Sequence, residues 1–332
     1  MAVYVMGFKG DWKYLCQLFN LVRNPSSEQV CWRCLATKGT GDLAYCYTNV
    51  ADDASWRATE WTTDPWTEQP AFATLPGFSL KMLNVDLLHV WHLGVARDMT
   101  ASVLRVLAKA KQFRPHGTIK DQLAAASSSL RNFAKAEGLS LHLRKLSPQN
   151  LNWRSNAYPE THCKGYDSFV MIAWLAWYLS DADDVDPRIR TLVWAADSLM
   201  DVWHHGGMFL TDNEVQHVQI VGGLFIRCYL ELAQEAVSSR TRLWRIRPKF
   251  HLLVHLQSEV RASRYNATFG STWMDEDAVK RFMKIKKKVH RLQAPDRVIR
   301  RWLLNLRDKM DNVLDRKIMV RDIGVALGGW RC

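Results

Sequence analysis

Lys249-Phe-His-Leu-Leu-Val-His-Leu256 sets the reading of the whole chain. His251 and His255 lie four residues apart in an apolar run, so on a helix their imidazoles share one face and can grip a single metal ion from neighbouring turns. Two imidazoles do not close a coordination shell. The one close cysteine pair, Cys31-Trp32-Arg33-Cys34, lies more than two hundred residues upstream and offers the two thiolates that a Cys₂His₂ zinc tetrahedron requires. Taken alone, that pair also reads as a redox dithiol or as chance. A carboxylate stands at a similar distance on either side. Asp11 is twenty residues before Cys31, and Glu276, in Trp273-Met-Asp-Glu-Asp-Ala278, is twenty-one after His255. This symmetry predicts a chain that doubles back, so that its opening and its last quarter build one metal-stapled centre.

Composition limits the alternatives. With 332 residues, 48% apolar content and fifteen tryptophans, the chain has the material for a real core, which excludes a disordered protein. The longest apolar run, Phe169 to Leu179, is too short to cross a bilayer, and no signal-peptide pattern opens the sequence. A soluble intracellular protein with no membrane partner is expected. Seven cysteines, odd in number and mostly scattered, do not form a disulfide framework. The net charge of +12 is unevenly placed: residues 241–332 hold 22 Lys and Arg against 9 Asp and Glu, whereas residues 1–240 are close to neutral. A basic segment on a neutral body suits a phosphate-backbone surface; solvated helix faces fit the composition equally well.

Along the chain, Ala2 to Phe8 alternates as a short strand, and a helix is expected from about Trp12 to Val22. Asp11 then stands either at a strand end, where open α/β folds place ligands, or as the N-cap of the helix, and the two roles are compatible. Residues 38–79 read as a long irregular crossing. In Asn84 to Asp98, Asp86 and His89 are three apart, near enough on a helix for carboxylate and imidazole to meet, although a satisfied core histidine is the commoner role. Helices are expected at 99–112, 118–137, 165–181, 187–205 and 211–237, with a short one before Pro248. The two histidines then lie on a helix ending near Ala262. A further helix, Met274 to Arg291, aligns Glu276 with Lys280, Lys284, Lys287 and Lys288 on one face and ends at Arg291. An acid in the first turn with lysines beyond suits the macrodipole; the same arrangement suits a metal ligand followed by DNA-binding cations. After Pro295 a basic helix runs to about Asp315.

Taken in order, these pieces resemble the transposases of CACTA (En/Spm)-like DNA transposons, which have an RNase H-like core. The matching elements are Gly10-Asp11-Trp12, Cys31-x-x-Cys34, Asp86-Leu-Leu-His89, Lys164-Gly-Tyr-Asp167 (with tyrosine where histidine is usual), Pro248-Lys-Phe-His251 with His255, and Trp273-Met-Asp-Glu276. The same order recurs in the V(D)J recombinase lineage. The resemblance implies a mainly α fold with a small α/β remnant, a partial RNase H-like core carrying a large all-helical insertion. Its segments would be a core at 1–37, an irregular loop and insertion at 38–247, the zinc-ligand, glutamate and basic helices at 248–315, and a tail at 316–332. It also implies a nuclear protein whose partners are DNA and, in a homo-oligomer, a second copy. Structural Zn²⁺ would sit on Cys31, Cys34, His251 and His255. Catalytic Mg²⁺ would sit on Asp11 and Glu276, with Asp275 and Asp277 as alternatives to the latter and Asp86 and His89 lining the site. Such chemistry needs a further carboxylate upstream of Asp11, so an N-terminally truncated, inactive enzyme is expected. A non-catalytic DNA- or chromatin-binding protein on the same scaffold is the second expectation. A plain helical scaffold with unrelated Cys and His residues is the third.

Overall fold

Helix boundaries in this protein follow capping chemistry. Thr118 and Asp121 close a capping box at the start of α3 (Ile119–Ala136), and Thr211 with Glu214 repeats it at α6 (Asp212–Ser238). Asp186 caps α5 (Pro187–His205) and Pro187 occupies its first position, where a missing N–H costs nothing. The other helices of the first unit are α1 (Trp12–Leu18), α2 (Ala96–Lys109), α4 (Gly165–Leu179) and α7 (Pro248–Ser263). An eight-residue π-helical segment, Leu88–Val95, runs directly into α2. The computed structural model describes residues 7–39, 41–154, 156–290, 296–305 and 307. The chain divides into two compact units, Met1–Thr272 and Trp273–Cys332.

The fold is mainly α-helical, as the sequence predicts. Among the described residues, β pairing is confined to isolated bridges. One of them joins Phe8 to Leu83 in parallel, with Phe8 N–H donating to the Met82 carbonyl at 2.7 Å and Asn84 N–H to the Phe8 carbonyl at 2.9 Å. Most of the expected first strand, residues 2–6, lies outside the described residues, as does the tail at 316–332.

Two expected helices are corrected. α1 stops at Leu18, short of Val22, because Asn20 turns left-handed (φ 52°) and Leu21 N–H closes back on the Cys16 carbonyl at 3.0 Å, which ends the helix. The short helix expected directly before Pro248 does not form, and residues 239–247 are turn and irregular chain. Arg240 and Trp244 take positive φ, and the chain stays irregular so that Trp244 can pack edge-on against Tyr229.

The core lies where α2, α4, α5, α6 and α7 meet the π-helical segment. Trp91 sits between Trp203 of α5 and Phe225 of α6, with ring centroids 5.3 and 5.0 Å away. Where α5 ends, the fully buried Asn266 donates to the carbonyls of Trp203, Gly206 and Gly207, satisfying groups the helix leaves open. Gly222 of α6 faces Gln257 of α7 so closely that a Cβ there would meet the amide at 2.2 Å, so the glycine permits this helix contact. In the second unit α8 (Trp273–Lys286) and the helical residues 296–305 are joined by stacking of Phe282 on Trp302 at 5.0 Å.

Candidate metal centre and adjoining cavity

Cys31 and Cys34 lie on a tight turn after α1, and His251 and His255 on successive turns of α7. All four side chains are buried. Cys34 Sγ is 3.3 Å from His251 Nε2 and 3.4 Å from His255 Nε2; Cys31 Sγ is 3.6 Å from His255 Nε2, and the two Nε2 atoms are 3.0 Å apart. All four ligand atoms fall within 4.8 Å of one another. A zinc tetrahedron with ordinary Zn–S and Zn–N bonds has edges of about 3.3–3.8 Å, so this donor set fits the ion.

The surroundings orient the ligands. Arg33 N–H donates to Cys31 Sγ at 3.4 Å. Glu60 Oε1 stands 3.4 Å from His255 Nδ1, the carboxylate–histidine contact that fixes which ring nitrogen faces a metal. Arg33 holds Glu60 at 3.1 Å and Glu259 of α7 at 2.7 Å, linking the turn to the helix a second time. Trp56 packs edge-on against both imidazoles, at 4.3 and 5.2 Å. Behind the turn, the buried Arg23 guanidinium donates to the carbonyls of Trp32, Cys34 and Thr63.

Burial opposes charge on both thiols. For Cys31 it is outweighed by its hydrogen bond with Cys34 and by the His255 imidazolium, which bring it well below the usual thiol value. For Cys34 burial and the neighbouring Cys31 act together and push it upward. A bound metal takes both cysteines as thiolates, so its binding releases thiol protons.

The chain between the two cysteines leads into a second site. Trp32 lines a cavity of about 320 Å³ whose wall also carries Asp11, Lys13, Asp86, His89, Arg247, Lys249 and Leu252. α7 thus contributes histidines to the Cys₂His₂ cluster and Lys249 and Leu252 to the cavity. Asp11 caps α1, accepting from Tyr14 N–H at 2.6 Å, while also lining the cavity. Lys249 Nζ donates to the Leu93 carbonyl at 3.3 Å, and burial followed by the Arg247 charge holds its pKa below the usual lysine range. Arg247 is anchored on the buried Asp98 at 2.6 Å.

Asp86 is the most heavily engaged residue of this cavity. It precedes the helix rather than sitting within it, a correction to the expected helical pair, and receives Leu88 N–H at 2.9 Å. Its Oδ1 also accepts from Ser271 Oγ at 3.2 Å and Thr272 N–H at 3.1 Å; its Oδ2 accepts from Thr272 Oγ1 and His89 Nδ1, both at 2.5 Å. Burial pulls the Asp86 pKa upward, but the bonds from His89 and Thr272 prevail and hold it below the usual carboxylate value. An ionised Asp86 accepts from His89 Nδ1–H, which leaves Nε2 as the other ring nitrogen.

No protein-family model, curated protein or solved structure matches this chain. The functional reading therefore rests on the residues themselves. The sequence-predicted groups fall into three sets. Cys31, Cys34, His251 and His255 form one cluster. Asp11, Asp86 and His89 line one cavity. Glu276 and Lys280, Lys284 and the basic residues Lys287 and Lys288 lie on or just after α8 in the second unit, and Arg291 lies outside the described residues. Asp167 of the Lys164–Asp167 element is structural, accepting from His142 N–H at 2.8 Å and Lys164 N–H at 3.3 Å at the start of α4. Sequence reading missed Glu60, Trp56, Arg23 and Ser271–Thr272, which carry no spacing signal. It also missed Lys249, which stands inside the quoted histidine stretch. Among the described residues no helix is long and apolar enough to cross a membrane.

Proposed function

We propose that this chain is the DNA-binding, transposase-derived region that its motif order suggests, nuclear and stapled by a structural zinc. The observation that carries the reading is the convergence of Asp11 with Asp86 and His89, seventy-five residues later, on one cavity next to the Cys₂His₂ cluster. Cations from Lys13, Arg247 and Lys249 share its wall, a setting suited to a phosphodiester. Catalytic Mg²⁺ on Asp11 would polarise the phosphate and activate the attacking oxygen. Zinc closed by four protein ligands contributes folding energy instead of chemistry.

One observation favours the non-catalytic version. Asp86 and Asp11 are the carboxylates of the cavity wall, and Asp86 has both oxygens committed to buried donors. That leaves Asp11 as the one wall carboxylate suited to metal binding, fewer than two-metal cleavage requires. The expected behaviour is duplex binding without cleavage. The test incubates purified protein and supercoiled DNA with Mg²⁺ or Mn²⁺. Nicking that disappears in Asp11→Ala would show a competent site instead, and absence of any duplex binding would remove the DNA reading altogether.

A further inference from the structure

We infer that a second, separate surface, the groove between α3 and the segment 145–149, binds the phosphate backbone of duplex DNA; this rests on the DNA reading above and assigns it a contact outside the Cys₂His₂ region. The groove, of about 520 Å³, is lined by Lys120, Arg131 and Lys145 with Ser127, Ser128 and Ser147, and no carboxylate lines it. The three cations are exposed, and none pairs with a carboxylate among the described residues. Within residues 1–240, whose charges nearly cancel, such a cluster is a local concentration of cations.

Its shape indicates a polymer and not a small anion. Lys120, Ala124, Ser128, Arg131 and Lys135 recur at four- and three-residue steps, so they form one line along α3. Fifteen residues of helix rise about 22 Å, several base-pair steps of about 3.4 Å each. The small residues in mid-line let a backbone approach closely. Of the acids at α3, Glu137 is the C-cap beyond its last turn and Asp121, in its first turn, is occupied by Thr118. Ser127, the buried polar side chain of the lining, is already engaged by the Leu123 carbonyl and Leu146 N–H, so it is not free to converge on a compact headgroup or base.

The surface is also held in place. Arg131 donates to the Arg144 carbonyl at 2.9 Å and to Ser128 Oγ at 3.4 Å, which aims the guanidinium along the groove. The far wall is pinned by Leu146 N–H on the buried Ser127 Oγ at 2.8 Å and by His142 N–H on Asp167. Arg131 therefore has less side-chain freedom to lose on binding.

The test measures binding of a labelled random-sequence duplex between about 50 and 200 mM salt. In a Lys120→Gln/Arg131→Gln/Lys145→Gln variant with unchanged thermal melting, binding weakens and the log–log salt slope falls by about 2–3, nearly one for each phosphate that the protein no longer neutralises. A Lys120→Arg/Lys145→Arg variant keeps the slope. A triple-glutamine variant with the wild-type slope, alongside a Lys280→Gln/Lys284→Gln/Lys287→Gln/Lys288→Gln variant that loses it, overturns the groove and leaves the DNA reading intact. Wild-type protein without salt-dependent duplex binding overturns both. Saturable inorganic phosphate binding that the triple variant abolishes, without any change in duplex affinity, assigns the groove to a small anion and overturns the proposal.

Discussion

Glu60 and Asp86 show how single carboxylates far apart in sequence set the chemistry of others. Glu60 touches no metal position, yet it faces His255 Nδ1 and is steadied by Arg33. Replacing such an orienting partner lowers metal affinity by about 10–100-fold. Glu60→Gln is expected to do so in a competition titration with a chromophoric chelator, while wild-type stoichiometry is kept at saturating zinc. Asp86 is held ionised below its ordinary pKa by His89 and Thr272 against the opposing effect of burial. Its stabilisation is therefore present above the unfolded value of about 3.9 and is lost as pH falls through the lower folded value. Asp86→Asn should cost about 3 kcal/mol in denaturant unfolding at neutral pH. The gap from wild type should close in the acid range; a gap that stays constant there would show that the cost is not electrostatic.

Elements matter here through two helices that each serve two sites. α7 turns its histidines toward the cysteine pair and Lys249 toward the cavity. The π-helical segment carries His89 into the cavity and, at Gly94, makes room for α7, since a Cβ there would meet the His89 carbonyl at 2.8 Å and Lys249 Cδ at 2.8 Å. Such wide turns are uncommon and tend to mark functional sites. Gly94→Ala should overpack this crossing and destabilise the fold by about 1–3 kcal/mol, with zinc stoichiometry unchanged. Loss of zinc in that variant would mean that the crossing and the metal cluster form one cooperative element.

At the scale of the whole molecule, the first unit is closed by contacts between residues about 220 apart, of which the Cys31–Cys34–His251–His255 cluster and the Arg33–Glu259 pair are the clearest. A structural zinc site contributes apparent free energy of about 10–16 kcal/mol at neutral pH, as large as the net stability of an ordinary domain. Metal analysis should give one zinc per chain, and Cys34→Ser should abolish it. Chelation should unfold the first unit cooperatively, seen as loss of far-UV helical signal. A chain that keeps its wild-type melting curve without metal would return the four residues to unrelated core packing.

By itself the sequence determined whatever local chemistry dictates. The apolar periodicity and the Thr, Asp and Pro caps placed α3, α5 and α6 within about a residue, and four-residue spacing put both histidines on one face. The Cys₂His₂ set was legible because thiolate and imidazole are scarce residue types with few uses besides metal binding. Tertiary structure alone decided that Glu60, Trp56 and Thr272 belong to these sites, because carboxylates, rings and hydroxyls are common and only burial makes a particular one count. It also decided where α1 ends and that Asp86 caps a helix instead of lying within it. Those outcomes depend on which distant group meets each backbone amide, and no short-range pattern records that.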